Sequence, residues 1–200
     1  VLARDHLGQK PLYYFHDGDR LAFASEIKAL LALEPRLREL DPDALHEYLT
    51  LRFVSPPRSM FRRIKKLPPA HYLVFQNGKI DVQPYWQLNF TRKHVTSFAN
   101  AVDELDHHAQ DAVRSHLLSD VPVGALLSGG LDSSLIVALM DKVTGRKFST
   151  FTGDVPYENR SEAPAARAVA ERYRMPDYTV RVGPTLTRML PQILWHLDEP

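Results

Sequence analysis

The sequence predicts an α/β fold in two parts: an α+β part over residues 1–90 and a doubly wound parallel sheet over residues 91–200. Two observations carry this prediction. Short strands joined by hairpin turns fill the first part, whereas strands and helices alternate in the second, after a long amphipathic helix. Such alternation is typical of a parallel sheet with helical connections. The polar stretch 87–96, which lacks periodicity, marks the predicted boundary.

Two hairpins and two helices are predicted in the first part. Gly18 turns the first hairpin, and Asn77-Gly78, a strong two-residue turn signal, turns the second. Ser25 is the candidate cap of the first helix. Pro42 favours the first position of the second helix, directly after Asp41. The predicted strands cover residues 12–15, 20–24, 71–75 and 79–83, and the predicted helices cover 26–33 and 42–51.

A long helix is predicted to open the second part. Ser97 caps it, and apolar residues recur at spacings of three and four as far as Leu117, which indicates one apolar face. Three strand–helix pairs follow. Their strands are predicted over residues 121–127, 148–152 and 178–182, and their helices over 132–142, 161–173 and 185–197.

Composition excludes several classes of protein. The chain has 200 residues with 25 Lys and Arg against 24 Asp and Glu, so its charge gives no reason to expect nucleic acid or an anionic membrane as partner. No apolar run approaches the roughly 18 residues that span a bilayer. Cysteine is absent, which excludes disulfides and thiolate metal sites from these residues. No signal region follows Val1, so we predict a cytoplasmic protein, and we expect both ends to be cut from a longer chain.

The most informative segment is Leu-Leu-Ser-Gly-Gly-Leu-Asp-Ser-Ser at residues 126–134, between a predicted strand and a predicted helix. Two glycines let the backbone turn tightly and approach an anion, and the N–H groups at a helix start attract phosphate. Three serines add hydroxyl donors. A carboxylate at Asp132 would repel phosphate unless Mg²⁺ bridges the two. A strand–turn–helix connection with a serine cap is the alternative interpretation.

This segment lacks the lysine of a Walker loop, but it resembles the pyrophosphate loop of the N-type ATP pyrophosphatases. These adenine nucleotide alpha hydrolase-like proteins include asparagine, argininosuccinate, GMP and NAD synthetases. The resemblance implies cleavage of ATP between the α and β phosphates. It also implies that Asp132 binds Mg²⁺ and that the Leu127 backbone faces the adenosine. The implied ATP and pyrophosphate site comprises Leu127, Ser128, Gly129, Gly130, Leu131, Asp132, Ser133 and Ser134.

Flanking segments narrow the resemblance to the glutamine-hydrolysing asparagine synthetases. They are residues 3–14, 23–30, 67–72, 85–86 and 121–124, which together extend over most of the chain. Residues 1–90 thus resemble the C-terminal portion of an N-terminal-nucleophile (Ntn) glutaminase domain with its connector, and residues 91–200 the start of the ATP-pyrophosphatase domain. The nucleophilic cysteine of that glutaminase would precede Val1. No catalytic glutaminase residue is therefore assigned, and the 200 residues alone are expected to be inactive.

The implied enzyme is a ligase that forms asparagine from aspartate and glutamine-derived ammonia through an acyl-adenylate, with release of AMP and pyrophosphate. Its implied cofactors are ATP and Mg²⁺. Its expected partners are small-molecule substrates and, as a candidate assembly, a homodimer, with no nucleic acid and no membrane. Alternatives are a β-lactam synthetase-like, lasso-peptide cyclase-like or polysaccharide-modifying enzyme that uses another carboxylate, and a non-catalytic nucleotide-binding scaffold.

Four further expectations concern particular residues. Thr152 and Gly153 are candidate adenine contacts, although the resembled family usually has one more hydrophobic residue there, so the strand is expected either to lack a residue or to end early. Glu162 is a candidate contact of the metal or nucleotide, or simply complements a helix N-terminus. Arg4 and Asp5 are expected to form a structural salt bridge. The basic cluster Arg62, Arg63, Lys65 and Lys66 is interpreted as a solvated linker.

Overall fold

The computed structural model describes residues 1–91, 93–155, 161–183 and 186–198. They form two compact units, one of residues 1–92 with 190–200 and one of residues 93–189. The elements are β1 (Leu2–Ala3), β2 (Tyr13–His16), β3 (Leu21–Ala24), α1 (Ile27–Leu33), a 3₁₀ helix (Pro35–Leu37), α2 (Pro42–Leu51), β4 (Lys65–Lys66), β5 (His71–Gln76), β6 (Lys79–Pro84), α3 (Phe98–His116), β7 (Ala125–Leu126), α4 (Leu131–Thr144), β8 (Thr150–Asp154), α5 (Ala163–Tyr173), β9 (Asp177–Arg181) and α6 (Leu186–Leu197).

The first unit contains two antiparallel three-stranded sheets, ordered β1-β5-β6 and β3-β2-β4. Both predicted hairpins form, and the second turns where Asn77 and Gly78 adopt positive φ angles of 51° and 73°. That geometry is why the Asn-Gly pair predicts a tight hairpin. The two turns are joined, because Nε2 of His16 lies 3.0 Å from the carbonyl oxygens of both Gly18 and Gly78.

Local capping decides where α2 begins. The Asp41 carboxylate accepts the backbone N–H groups of Asp43 at 3.0 Å and Ala44 at 3.4 Å, and Pro42 occupies the first helical position. The predicted start of this helix is therefore confirmed.

The predicted cap of α1 by Ser25 is wrong. Helix α1 begins at Ile27, and its own N-cap residue Glu26 makes no capping bond. Instead, the carboxylate of Asp198, 171 residues along the chain, accepts the Ile27 N–H at 2.8 Å. Lys28 Nζ approaches the same carboxylate at 3.3 Å and donates to the carbonyl of Trp195 at 2.9 Å. The end of α6 thus completes the start of α1.

This remote cap predicts that Asp198→Ala lowers the free energy of unfolding by about 1–2 kcal/mol, the usual effect of removing a helix cap. The Asp198 side chain is only 8% exposed, so water replaces it poorly. Urea unfolding followed by circular dichroism measures the change. Glu26→Ala is the matched control: its side chain is 52% exposed and pairs with the same lysine, so its effect should stay below about 0.5 kcal/mol. Equal losses in the two variants would contradict the remote cap.

Two other expectations for the first unit are also wrong, the second of them in part. Arg4 and Asp5 form no salt bridge with each other. The Arg4 guanidinium donates to three backbone carbonyls, and the Asp5 carboxylate accepts three backbone N–H groups. The N–H of Lys10, followed by that of Gln9, holds the pKa of the Asp5 carboxyl below its ordinary value. The solvated-linker interpretation of the basic cluster is wrong for Lys66, which lies in β4, is buried, and donates from Nζ to the carbonyl of Val54 at 2.7 Å, whereas Arg62 and Arg63 are exposed.

The second unit has the predicted alternation of parallel strands and helices. Strands β7, β8 and β9 pair in parallel and in chain order, with α4 and α5 as their connections. Ser97 caps α3 as predicted, by accepting the N–H of Asn100 at 3.2 Å. Strand β8 does not end early: it pairs with β9 through Gly153 and Asp154.

Strand β7 is shorter than the predicted strand over 121–127. Pro122 lacks an N–H donor and so cannot extend the ladder at its position. The pairing with β8 starts where the Ala125 N–H reaches the Ser149 carbonyl at 2.9 Å. Its buried face forms a core with α3, α4 and α5, which includes Val113, Leu127 and Val137. None of the helices in the described ranges combines the length and apolar character that crossing a bilayer requires.

Candidate functional site

The predicted phosphate loop connects β7 to α4. The strand ends at Leu126 and the helix begins at Leu131, one residue before its predicted start. Gly130 occupies the N-cap position with φ −70° and ψ 168°, and no side chain caps this helix start. The first N–H groups of a helix lack intrahelical partners, so they are available to an anion.

Strand β8 fixes the entrance of the loop. The N–H of Leu127 donates to the Phe151 carbonyl at 2.8 Å, and the Thr152 hydroxyl donates to the Leu127 carbonyl at 2.8 Å. Leu127 and Thr152 are 2% and 3% exposed. The Thr152 hydroxyl is therefore committed to the protein, and contact of this residue with adenine would use its backbone. Gly153 follows it on the exposed end of the strand.

Two serines brace the loop internally. The Ser128 and Ser133 hydroxyl oxygens lie 3.0 Å apart, and the Ser133 hydroxyl also accepts the Ser128 N–H at 3.3 Å. The Ser128 hydroxyl accepts the N–H of Gly130 at 3.3 Å. These bonds connect Ser128 to Ser133 across the loop.

The third serine has a buried hydroxyl with no partner. Among the described residues, Ser134 Oγ is the buried side-chain oxygen or nitrogen that forms no hydrogen bond. An unsatisfied buried hydroxyl costs about 1–3 kcal/mol, so a ligand that bonds to it is favoured. The donor set of the loop thus fits a phosphate group.

The two glycines of the loop have different roles. Gly129 has φ +76°, and a Cβ there would lie 2.5 Å from the Ala166 nitrogen and 2.6 Å from the Ala165 Cβ, both in the first turns of α5. Gly130 has an ordinary φ, and its Cβ would meet only the Ser128 hydroxyl at 3.3 Å. The close approach to α5 is therefore the specific requirement at Gly129.

Asp132 lies in the first turn of α4 with an exposed side chain and has no hydrogen bond or ion pair with any described residue. Nor do the described ranges contain a group of three acidic, histidine or cysteine side chains that would hold a metal ion. Magnesium is commonly held by one or two carboxylates together with substrate phosphates. One free carboxylate beside phosphate donors fits that mode of binding.

Sequence reasoning missed two polar residues near the loop. The Asp154 carboxylate at the end of β8 accepts the Ser161 hydroxyl at 2.6 Å, and Ser161 Oγ accepts the N–H of Ala163 at the start of α5 at 3.3 Å. Glu162, the predicted candidate, is exposed and makes no capping bond. A serine two residues before a helix was the available signal for this cap.

A cavity of about 470 Å³ lies between α3, β7 and α4. Its walls are apolar apart from His116, with Leu126, Leu135 and Ile136 among them. Burying phosphate charge there without donors would be unfavourable. The loop, and not this cavity, is the candidate nucleotide site.

Comparisons with known proteins agree with both parts of the chain. The family model described as glutamine amidotransferase domain matches residues 1–86, and the one described as asparagine synthase matches residues 104–200. The chain is 34% identical to asparagine synthetase [glutamine-hydrolyzing] 1 of Bacillus subtilis over 99% of its length and 31% of that protein. It is 35% identical to asparagine synthetase B of Escherichia coli over 82% of its length and 23% of that protein.

A solved structure of the glutamine-dependent NAD+ synthetase from Acinetobacter baumannii with adenosine diphosphate aligns over 92% of this chain and 43% of its own, at 13% identity and a TM-score of 0.37. The chain spans about a third or less of the length of the two curated relatives. By its sequence, the chain belongs to the family of glutamine-hydrolysing asparagine synthetases.

Proposed function

We propose that these 200 residues form part of an ATP-dependent amidotransferase that makes asparagine from aspartate with ammonia released from glutamine. The observation that carries the proposal is the loop between β7 and α4. It combines an uncapped helix start, an unpartnered buried hydroxyl at Ser134 and a free carboxylate at Asp132. Family membership supplies the reaction that such a loop would serve.

In the proposed reaction, a carboxylate oxygen of aspartate forms a bond to the α-phosphorus of ATP, and the bond from that phosphorus to the oxygen bridging to the β phosphate breaks. Pyrophosphate leaves with the electron pair. The N–H groups at the start of α4 and the Ser134 hydroxyl donate hydrogen bonds to the leaving oxygens. The Ser128 and Ser133 hydroxyls would join them by giving up the bonds that they make within the loop. Fixed donors of this kind stabilise charge as it develops. Magnesium, held by Asp132, would neutralise part of that charge.

The second half-reaction is the attack of ammonia on the acyl-adenylate, which forms the amide and releases AMP. We propose that residues 1–90 are the end of the glutaminase domain and its connector, and that residues 91–200 begin the synthetase domain. The nucleophile that releases ammonia is not assigned to any of these residues. The adenine is proposed to lie at the exposed end of β8, against the backbone of Thr152 and Gly153.

The same proposal covers the cellular setting. We propose a cytoplasmic enzyme, since its substrates are small and polar and its net charge of +1 is near neutral. Its proposed partners are these substrates and a second copy of the same chain. The isolated 200 residues are proposed to be inactive, because neither half-reaction has all of its groups within them.

The test uses the longest natural polypeptide that contains these residues, incubated with ATP, Mg²⁺, ammonia and aspartate, with AMP, pyrophosphate and ADP quantified. We expect AMP and pyrophosphate in equal amounts, dependent on aspartate. AMP formation with a different carboxylate but not with aspartate would overturn the proposal that aspartate is the substrate, while the proposed adenylation chemistry would stand. ATP binding without AMP under any condition would overturn the enzyme proposal in favour of a nucleotide-binding scaffold.

A further inference from the structure

We propose that Asp154 and Ser161 are positioning residues for the phosphate loop: they hold the first turn of α5 in place against Gly129. This inference rests on the proposed function, since its consequence is the affinity of the loop for ATP. The three residues belong to different segments, at the end of β8, before α5 and in the loop itself.

A chain of hydrogen bonds connects the end of β8 to the start of α5. The Ser161 hydroxyl donates to Asp154 at 2.6 Å and accepts the N–H of Ala163 at 3.3 Å. Hydrogen bonds of this length from a hydroxyl to a carboxylate are among the stronger hydrogen bonds in proteins. The negative charge of Asp154 also complements the positive end of the helix dipole of α5. Asp154 itself pairs with Arg181 of β9, so its carboxylate is attached to the parallel sheet.

Helix α5 in turn lies directly against the loop at Gly129. The space for a Cβ on Gly129 is filled by the Ala166 nitrogen, the Ala165 Cβ and the Ala165 carbonyl carbon, at 2.5, 2.6 and 2.7 Å from that position. Ala163 and Ala166 are buried, at 8% and 0% exposure. The turn at Gly129 thus packs directly on the backbone of α5 and on the Ala165 methyl group, none of which can rotate away to absorb a shift.

Among the described residues, no other side chain takes the place of Ser161 at the start of α5. Glu162, the N-cap residue of α5, makes no capping bond with its side chain. Without Ser161, the N–H of Ala163 loses its bond and the first turn of α5 is free to fray. The wall against which Gly129 turns would then move, and the donors of the loop would lose their alignment with phosphate.

The experiment compares Ser161→Ala, Ser161→Thr and Asp154→Asn in the longest natural polypeptide that contains these residues. Pyrophosphate release is measured with the carboxylate that supports AMP formation. We expect Ser161→Ala to raise the KM for ATP about five- to tenfold, the factor that corresponds to losing one helix cap. The KM for the carboxylate should not change. Ser161→Thr keeps the hydroxyl and should have the wild-type KM for ATP. The KM of Asp154→Asn should lie between those of the wild type and Ser161→Ala.

The matched control is Ser115→Ala, which removes a hydroxyl bonded to the backbone of α3, away from the loop. An unchanged KM for ATP in Ser161→Ala would overturn the positioning role. So would equal increases in the KM for ATP and in the KM for the carboxylate that Ser161→Thr does not reverse. Failure of the proposed function is distinguishable, since the wild type itself would then form no AMP. In that case, calorimetric titration of the wild type and Ser161→Ala with magnesium pyrophosphate decides the inference, and equal affinities would overturn it.

Discussion

Gly129→Ala is expected to reduce ATP-dependent AMP formation on the order of 100-fold, the loss that follows when reacting groups are displaced by about 1 Å. The added Cβ would lie 2.5 Å from the Ala166 nitrogen, which is closer than real Cβ atoms come to any atom. Because the obstacle is backbone and not the end of a flexible side chain, either the loop or α5 must shift. The positive φ of 76° adds a strain of about 1–2 kcal/mol for alanine.

Two matched variants separate the clash from the strain. Gly145→Ala introduces alanine at φ +60°, after α4, where no atom lies within 4 Å of the new Cβ. It should lose stability but retain AMP formation. Gly130→Ala changes the neighbouring glycine, which has an ordinary φ and only a serine hydroxyl nearby at 3.3 Å. It should cost much less activity than Gly129→Ala.

The measurement is the rate of AMP and pyrophosphate formation at saturating ATP, together with the midpoint of thermal unfolding for each variant. Equal activity in Gly129→Ala and Gly130→Ala would show that the approach of α5 does not shape the loop. A loss of activity in Gly145→Ala as large as in Gly129→Ala would attribute the effect to global stability.

Features that depend on neighbouring residues in the sequence were predictable. The Asn77-Gly78 turn, the helix start at Asp41-Pro42 and the Ser97 cap each follow from chemistry within four residues, and each forms as predicted. The position of the loop between a parallel strand and a helix was predictable for the same reason, since the change of periodicity and the paired glycines occur together.

Features that depend on distant residues were not predictable. Ser25 was a reasonable cap by type, but the Ile27 N–H is satisfied by Asp198 from the far end of the chain. The polar run that contains Lys66 gave no sign that this lysine would be buried in a strand. The bond between Asp154 and Ser161 also depends on where β8 ends and α5 begins, which periodicity locates only to within a few residues.

The two glycines of the loop differ in a way that the sequence alone does not reveal. Sequence pattern treats Gly129 and Gly130 alike, as a pair that frees the backbone. The structure distinguishes them, because only Gly129 faces a neighbouring helix at a distance that excludes a side chain. The helix in question lies more than thirty residues further along the chain, so no local signal marks which glycine is essential.

Asp132→Asn is the second change with a large expected effect. We expect it to reduce AMP formation about 100- to 1,000-fold, the range seen when one stabilising group is removed from a site where charge develops. Asparagine keeps the size and one oxygen of the side chain but removes the negative charge that would hold Mg²⁺ beside phosphate. Asp132 is exposed and bonded to no described residue, so folding should be nearly unaffected. Loss of its charge from the first turn of α4 costs only about 0.3–1 kcal/mol.

The metal role makes a distinction that a general electrostatic role does not. If Asp132 holds Mg²⁺, the concentration of Mg²⁺ needed for half-maximal activity should rise in Asp132→Asn, and raising Mg²⁺ should recover part of the lost rate. If the carboxylate acted only through its charge on the phosphates, its removal would relieve repulsion and strengthen ATP binding at every Mg²⁺ concentration. Asp103→Asn, an exposed carboxylate on α3, is the control for the same change in net charge and should match the wild type. Undiminished AMP formation in Asp132→Asn would exclude the carboxylate from metal binding and leave the serine hydroxyls and the start of α4 as the whole phosphate site.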